Sequence, residues 1–226
     1  MNNTFNYHTV SSINDNNSDF IHPVVKVGKR AFDIVFSVIA IIMFLPILPF
    51  IALAIKLDSK GPVFYRQIRL GKYHPDHTDE FKIIKFRTMY TDAEASGKEL
   101  LACKGDPRIT KIGRFLRKTR IDEIPQFLNI LLGEMSLIGP RPERPGLTNE
   151  IESRVPFFAE RTYGVMPGIT GFAQINQSYL DSVGDINTKV SYDHAYALTL
   201  SNPVNWVITD IKIIFSTILV VIKANG

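Results

Sequence analysis

The sequence feature that most constrains the fold is an almost uninterrupted apolar run at residues 31–55, which ends at Lys56. At about 1.5 Å per residue, a helix of this length would cross a hydrocarbon core of about 30 Å. Pro46 and Pro49 lie inside the run, and a proline removes a backbone donor and clashes with the preceding turn. The run therefore predicts a membrane helix that bends sharply near Leu45.

Basic residues stand on both sides of this run and indicate its topology. Lys26, Lys29 and Arg30 precede it, and Lys56, Lys60, Arg66, Arg69 and Lys72 follow it. Because Lys and Arg flanks stay in the cytoplasm, a segment that is basic on both sides has no preferred orientation as a span. The pattern favours a re-entrant helix at residues 31–55 that turns at Pro46 and returns to the same face. An ordinary span stays open as the alternative, since a broken helix in a bilayer needs protein around its freed backbone groups.

Arg30 and Asp33 lie about one helical turn apart at the start of the run. This spacing permits an ion pair at the headgroup level, which would lower the cost of placing an acid there. Arg30 is therefore a candidate for contact with lipid headgroups.

Length and composition bound the number of domains. The chain has 226 residues and a net charge of +4, which allows one domain with a core plus an anchor. Residues 1–25 are polar and predict a flexible arm, not a secretory signal, while residues 26–226 form one membrane-associated domain. Cys103 is the only cysteine, which excludes an intrachain disulfide and fits a reducing, cytoplasmic setting.

Positive charge is concentrated at residues 60–120, which contain 15 Lys and Arg but 7 Asp and Glu. Such an excess suits anionic lipid headgroups, phosphorylated substrates or nucleic acid, and a solvated basic face is the plain alternative. A nucleic-acid partner is disfavoured, because the sequence contains no recognised nucleic-acid-binding motif.

The hydrophobic pattern predicts an α+β fold: a re-entrant membrane helix with a small cytoplasmic domain of interfacial amphipathic helices and a β-hairpin. It places strands at residues 63–70 and 80–89, and helices at residues 91–101, 111–120 and 204–222. The last of these is predicted as an interfacial or core helix, not as a second span, since it contains charged residues.

The loop that joins the two predicted strands contains His74, Asp76 and His77. These residue types suggest a metal site, but a solvated turn at a loop tip is the simpler interpretation.

The chemistry is concentrated at residues 117–126, where Asp122 and Glu123 stand just before Pro125. Proline is tolerated in the first turn of a helix, so a helix is predicted to begin at the acidic pair. The helix dipole and free N–H groups would favour ionised carboxylates there. An ionised Asp can act as a nucleophile or bind a hard cation, and neighbouring arginines can hold phosphate. An acidic turn that only caps a helix remains the alternative.

Two further loops are candidates for ligand contact. Pro140 and Pro142 bracket Arg141 and stiffen its backbone, which makes this guanidinium a plausible phosphate clamp. In residues 167–174, two glycines flank Thr170, and a tight turn there would let backbone amides approach a ligand.

Six motifs in a fixed order, after a proline-broken apolar run, resemble the bacterial sugar transferase family of monotopic phosphoglycosyl transferases. They are KRAFD at residues 29–33, RQIRLG at 66–71, FKIIKFRTM at 81–89, IDEIPQ at 121–126, GPRP at 139–142 and PGITG at 167–171. The resemblance covers residues 26–222. This chain departs from the family pattern in having Leu45 before Pro46 and Arg120-Ile121 before the acidic pair.

The resemblance implies a membrane enzyme on the cytoplasmic face of the bacterial inner membrane that starts surface glycan assembly. Its expected partners are membrane lipids, a nucleoside diphosphate sugar such as a UDP-sugar, and a polyprenyl phosphate such as undecaprenyl phosphate. By the same resemblance, Asp122 carries a covalent phosphosugar, and Glu123 helps to hold Mg²⁺ and the geometry of the pair.

The resemblance also implies which cations bind phosphate: Arg117 and Arg141, with Lys85 and Arg87 as further candidates. Two other classes of function remain open at this point. One is a membrane-tethered basic binding protein, and the other is an adaptor without catalysis in which the acidic pair only starts a helix.

Overall fold

The computed structural model describes residues 20–93, 105–177 and 183–222. The helices are α1 (Pro23–Phe44), α2 (Leu48–Asp58), α3 (Lys111–Lys118), α4 (Gln126–Leu132), α5 (Pro145–Glu152), α6 (Phe172–Asn176), α7 (Val183–Thr199) and α8 (Pro203–Ile222). The strands are β1 (Phe64–Tyr73), β2 (Thr78–Phe86), β3 (Ser136–Ile138) and β4 (Gly168–Thr170), and short 3-10 turns form at Ile121–Glu123 and Ala159–Thr162. The mixture of helices with small sheets agrees with the predicted α+β class.

The apolar run folds as two helices, and the break lies where the prolines predict it. Helix α1 ends at Phe44, α2 begins at Leu48, and the two axes differ by 65°. Pro46 lies in the break and has no N–H to continue the helix, while the N–H of Ile47 donates to the carbonyl of Phe44 at 2.9 Å. The prediction of a sharp bend at Pro46 is confirmed.

The outer faces of both helices are apolar and exposed. Ile42 and Met43 near the end of α1 are 65% and 60% exposed, and Phe50 and Leu57 of α2 are 73% and 78% exposed. The opposite face of α1 is covered by protein, because Asp33 and its neighbours pack against α4 and β3. The bent pair therefore combines exposed apolar side chains with a face that packs on the rest of the protein.

Of the flexible arm predicted at residues 1–25, the part that the structure describes is folded. Residues 1–19 lie outside the described residues, but α1 already begins at Pro23, where the side chain of His22 accepts from the N–H of Val24. Ile21 and Val25 are buried in a core cluster with residues of α7 and α8. Burial of these two apolar side chains explains why the chain is ordered before residue 26.

The predicted hairpin is confirmed, with longer strands and a shorter turn. Strands β1 and β2 are antiparallel, Phe64 lies opposite Phe86, and a register shift falls between Leu70 and Tyr73. The expected loop at residues 71–79 shrinks to four residues that are closed by a hydrogen bond from the N–H of His74 to the carbonyl of His77 at 2.8 Å. The predicted helix at residues 91–101 lies mostly outside the described residues.

The glycine-rich segment at residues 167–174 contains strand β4 and the start of α6, where its sequence suggested a tight turn that faces a ligand. Strand β4 pairs in parallel with β3, with Ser136 opposite Gly168 and Ile138 opposite Thr170. Its glycines permit close backbone approach, since a Cβ atom on Gly168 would overlap the N–H group of Gly139. The backbone amides are thus used in pairing between two segments that are distant in sequence.

Helix α8 closes the fold. Ile213 is fully buried in the same core cluster as Val25, Tyr196 and Leu200, while Val204 and Phe215 on the other face are each 65% exposed. One face therefore packs in the core, while the choice between an interfacial or core helix and a second span stays a prediction. By length and composition, residues 203–221 are also apolar enough to cross a membrane, and they are the one such unbroken helix in the described ranges.

Candidate active site

The acidic pair lies in a 3-10 turn of its own, between α3 and α4. Arg120 adopts a left-handed conformation with φ 58°, which ends the preceding helical segment and starts the turn at Ile121–Glu123. Helix α4 begins only at Gln126, after Pro125. The prediction that a helix begins at the acidic pair is therefore wrong by one turn, because the missing N–H of Pro125 separates the two segments.

Glu123 is buried and shared by two cations from distant parts of the chain. Its Oε1 accepts from the Nζ of Lys85 on β2 at 2.9 Å and from the guanidinium of Arg141 at 3.0 Å. Burial alone would raise the pKa of Glu123, but these two cations outweigh it and hold the pKa well below its usual range. Glu123 is therefore a fixed negative charge that positions both cations.

Asp122 differs sharply from its neighbour. It is 7% exposed, and its buried Oδ1 has no hydrogen-bond partner within the described ranges. Burial, followed by the charge of Glu123, raises the pKa of Asp122 to about 6, and the charges of Lys85, Arg117 and Arg120 oppose this rise only in part. The expectation that a helix dipole favours ionisation of both carboxylates is wrong for Asp122, since burial and the charge of Glu123 outweigh any such effect on its pKa.

Arg117 reaches the same site from the end of α3. Its Nε donates to the hydroxyl of Thr88 at 2.8 Å, just beyond the end of β2. The charge of Arg117 acts on the carboxyl of Asp122. The structure thus brings together Arg117, Lys85 and Arg141 around the acidic pair. The phosphate-binding role that the family resemblance implies for them stays a prediction.

Two arginines predicted for ligand contact have structural positions instead. Arg87 was expected at the phosphate site, but its guanidinium donates to the carbonyl of Lys60 at 2.7 Å and to that of Ser59 at 2.6 Å. Arg30 was expected at lipid headgroups, but it donates to the carbonyls of Ile130 and Leu131. Both side chains donate to carbonyls at or just beyond the C-terminus of a helix, where the regular backbone donors run out.

The ion pair that the spacing of Arg30 and Asp33 permits is replaced by contacts to β3. The carboxylate of Asp33 accepts from the hydroxyl of Ser136 at 3.1 Å and from the N–H of Leu137 at 2.8 Å. Asp33 therefore attaches α1 to the second sheet.

Sequence reasoning missed a buried network of charges that holds the loop carrying Arg141. Glu143 pairs with Lys189 of α7 at 2.5 Å. Arg161 pairs with Asp193 of α7 at 2.8 Å and donates to the backbone carbonyl of Arg141 at 2.6 Å. Arg141 stands two residues before Glu143. The ion pairs of Glu143 and Arg161 with α7 therefore hold the loop that carries Arg141 against this helix.

Arg69 of β1 completes this network. It donates to the carbonyl of Pro142 at 3.1 Å and lies 3.9 Å from the carboxylate of Glu143. One sequence signal was available: Lys189 and Asp193 are four residues apart, which places both on one face of a helix. Their partners 30 to 50 residues away were not predictable from spacing.

These residues can support chemistry on phosphate. An orphan carboxylate oxygen on Asp122 lies among Arg117, Lys85 and Arg141, which can neutralise anionic oxygens. The same oxygen is the donor atom that a hard divalent cation prefers.

Comparison with known proteins identifies the family. A family model for bacterial sugar transferases matches residues 24–224. This chain belongs to the bacterial sugar transferase family. The resemblance inferred from the six motifs is therefore confirmed, and the family places the chain among the transferases.

Several curated relatives of this bacterial sugar transferase carry substrate names. One relative is a UDP-N-acetylgalactosamine-undecaprenyl-phosphate N-acetylgalactosaminephosphotransferase of Aeromonas hydrophila, which is 40% identical to this chain over 204 residues. This alignment covers 90% of this chain and 46% of the relative. Another relative is a UDP-glucose:undecaprenyl-phosphate glucose-1-phosphate transferase of Klebsiella pneumoniae, which is 41% identical to this chain over 194 residues. This alignment covers 85% of this chain and 39% of the relative.

The alignments differ in how much of each relative they include. The chain spans less than half the length of the Aeromonas and Klebsiella proteins. By contrast, it aligns with 93% of the exopolysaccharide production protein PSS of Rhizobium leguminosarum bv. phaseoli, at 39% identity over 196 residues. The shared region therefore includes the acidic pair and all the cations described around it.

Proposed function

We propose that this transferase moves a sugar-1-phosphate from a UDP-sugar to undecaprenyl phosphate through a covalent intermediate on Asp122. The observation that carries the proposal is the buried, unpartnered Oδ1 of Asp122 beside a Glu123 whose charge is already held by Lys85 and Arg141. The names of relatives about 40% identical to this chain support both substrates.

In the first step, a carboxylate oxygen of Asp122 attacks the phosphorus that bears the sugar. The new O–P bond forms as the bond to the bridging oxygen breaks, and uridine monophosphate leaves with that electron pair. In the second step, an oxygen of undecaprenyl phosphate attacks the same phosphorus and regenerates the carboxylate. Because the pKa of Asp122 is raised, the residue must lose its proton before the first step.

The surrounding cations offset the repulsion between the anionic substrates and the carboxylate of Asp122. Arg117 and Arg141 hold phosphate oxygens of the donor and the acceptor, and Lys85 keeps Glu123 in place. Such preorganised charges act most strongly where charge develops at the reacting phosphorus.

The donor set fits Mg²⁺ at this site. Oδ1 of Asp122 is the orphan oxygen that would bind the ion, while Oε1 of Glu123 already accepts from two cations. When bound, Mg²⁺ would neutralise diphosphate charge and polarise the phosphorus. Glu123 would then act mainly by orienting Lys85 and Arg141.

We further propose that α1 and α2 enter the cytoplasmic leaflet of the inner membrane and return to the same face. The 65° break and the apolar outer faces of the two helices support this topology. It keeps both basic flanks, and the site built on β2 and α3, at the headgroup layer, where the lipid phosphate lies.

The topology is tested by labelling single cysteines in a Cys103→Ser background. Lys26→Cys and Lys60→Cys stand on either side of the bent pair, and both side chains are exposed. With an impermeant thiol reagent, we expect both positions to react from the same side of sealed vesicles. Labelling from opposite sides would make the segment an ordinary span.

The chemistry is tested with purified enzyme, Mg²⁺, undecaprenyl phosphate and a panel of UDP-sugars. We expect release of uridine monophosphate and, without acceptor, transfer of ³²P from the sugar phosphate to the protein. Asp122→Asn should abolish both signals. Asp92→Asn is the matched control, since Asp92 is exposed outside the site.

Either of two results would overturn the mechanism. Turnover that persists in Asp122→Asn would exclude a covalent role for this residue. Absence of turnover with every nucleotide sugar, in a folded protein that binds membranes, would favour a noncatalytic adaptor.

A further inference from the structure

A second cluster of ligand-type side chains lies at the tip of the β-hairpin. The Nε2 atom of His74 is 3.1 Å from one carboxylate oxygen of Asp79, and the Nε2 atom of His77 is 3.3 Å from the other. One ligand atom from each of the three residues lies within 4.8 Å of the others. The two histidines come from the turn and Asp79 comes from β2, so the fold itself brings them together.

The turn places the two imidazoles next to each other. A backbone hydrogen bond from His74 to His77 closes the turn at 2.8 Å. The two rings stack with centroids 4.5 Å apart and planes 9° from parallel. Asp79 is held by strand pairing just beyond the turn, because Thr78 lies opposite Tyr73. Rigid backbone on both sides reduces the cost of ordering these ligands.

A histidine that binds a metal usually donates a hydrogen bond from its other ring nitrogen, and Asp76 is the acceptor for His77. Its carboxylate oxygen is 2.8 Å from Nδ1 of His77. Since a carboxylate only accepts, Nδ1 of His77 donates to Asp76, which leaves Nε2 as the ring nitrogen that a metal ion would take. A carboxylate that orients a histidine in this way fixes its tautomer and increases its strength as a ligand.

We propose that His74, His77 and Asp79 form a binding site for a divalent transition metal of the Zn²⁺ class, with Asp76 orienting His77. Two imidazole nitrogens and one carboxylate oxygen form a ligand set that Zn²⁺ takes in a tetrahedral site, with bonds of about 2.0–2.1 Å. Two imidazoles disfavour Mg²⁺, which prefers oxygen ligands.

This metal site is separate from the acidic pair and does not rest on the proposed function. Along β2 the tip lies seven residues from Lys85, or about 23 Å at 3.3 Å per residue. His77 and Asp79 are exposed, so a metal ion can enter from solvent and one coordination position stays open to water. A bound ion would cross-link the turn to β2 and stabilise the hairpin, since it binds only the folded tip.

Zinc titration of the full chain tests the proposal. The protein is purified in detergent without a polyhistidine tag, in a Cys103→Ser background, and titrated with Zn²⁺ by calorimetry in excess Mg²⁺. We expect one Zn²⁺ per chain, and Co²⁺ in its place should give the visible bands of a tetrahedral nitrogen and oxygen site. Binding should be lost in His77→Ala and in Asp79→Asn.

Two further variants separate this site from nonspecific binding. Asp76→Ala removes only the outer carboxylate and should weaken Zn²⁺ binding by about 10–100-fold. His194→Ala removes an exposed histidine of α7 and should leave binding unchanged. Retention of wild-type affinity in His77→Ala, or no stoichiometric binding by the wild-type chain, would overturn the proposal.

Discussion

At the scale of single residues, the site depends on the difference between two adjacent carboxylates. Glu123 accepts from two cations and is a fixed negative charge, whereas Asp122 has a free oxygen and a raised pKa. Burial acts on both residues, but only Glu123 has cations within hydrogen-bond distance to offset it. The environment, not the residue type, therefore distinguishes the two carboxylates, and the nucleophilic role that we propose for Asp122 depends on this difference.

Replacement of Lys85 tests this division of roles. Lys85→Met keeps the length of the side chain but removes the charge that faces Glu123. We expect the rate of sugar-phosphate transfer to fall about 100-fold, as for loss of one preorganised electrostatic partner. The measurement is the rate of nucleotide release at saturating substrates, normalised to the folded fraction.

The control is Lys82→Met on the same strand, where the side chain is exposed. It should change the transfer rate by less than about twofold, since an exposed charge is screened by solvent. Equal rate losses in both variants would mean that general surface charge, and not the pair with Glu123, supports the reaction.

At the scale of elements, arginine side chains complete helix ends. Arg87 contacts carbonyls at the end of α2, and Arg30 contacts those at the end of α4. A helix end buried without such donors leaves carbonyls unsatisfied, at about 1–3 kcal/mol each. Part of the basic character that suggested phosphate binding is therefore structural.

Arg87→Met should separate stability from catalysis. We expect the free energy of unfolding to fall by about 2 kcal/mol or more, because several carbonyls near Ser59 lose their donor. The KM for the nucleotide sugar should stay unchanged in the folded fraction. Denaturant unfolding in detergent and initial-rate kinetics measure the two quantities. A large rise in KM with unaltered stability would restore Arg87 to the phosphate site.

The contact between β3 and β4 gives a second prediction at this scale. A Cβ atom on Gly139 would overlap the carbonyl oxygen of Met166, so Gly139→Ala should destabilise the protein by about 1–3 kcal/mol. Transfer should also slow, since Arg141 follows two residues later. Gly146→Ala, on the exposed side of α5, is the control, and thermal unfolding should show no loss of stability in that variant.

At the scale of the whole molecule, one buried network connects the loop of Arg141 to β1 and α7. Burial raises the pKa of Glu143, but Lys189 and Arg161 outweigh it and lower the pKa from 4.5 to about 2. A carboxyl whose pKa is lower in the folded state stabilises the fold above its unfolded pKa. This contribution is lost as the pH falls from about 4.5 toward 2.

Glu143→Gln should remove this pH dependence. We expect the variant to be less stable than the wild type at pH 7, since Lys189 loses its buried partner, and to lose less further stability between pH 5 and pH 3. Unfolding free energies across that range make the comparison. Glu150→Gln, at an exposed position on α5, should follow the wild-type curve, and an identical pH profile for the Glu143 variant would contradict the role of the network.

The sequence by itself determined the features that depend on local backbone chemistry and hydrophobic pattern. Prolines cannot continue a helix, so the bend at Pro46 was predictable, and alternating apolar residues gave the hairpin. The ordered motifs gave the family and the grouping of Asp122 and Glu123 with Arg117, Lys85 and Arg141.

Only the tertiary structure decided where buried charges find partners. Arg87 and Arg30 face helix carbonyls, Glu143 meets Lys189 from 46 residues away, and the segment at residues 167–171 pairs with β3. Spacing in a sequence fixes which residues share one helix face or one strand face, but it cannot fix which distant element packs against that face. The different roles of two neighbouring carboxylates follow from that packing, because burial and nearby cations set their charge.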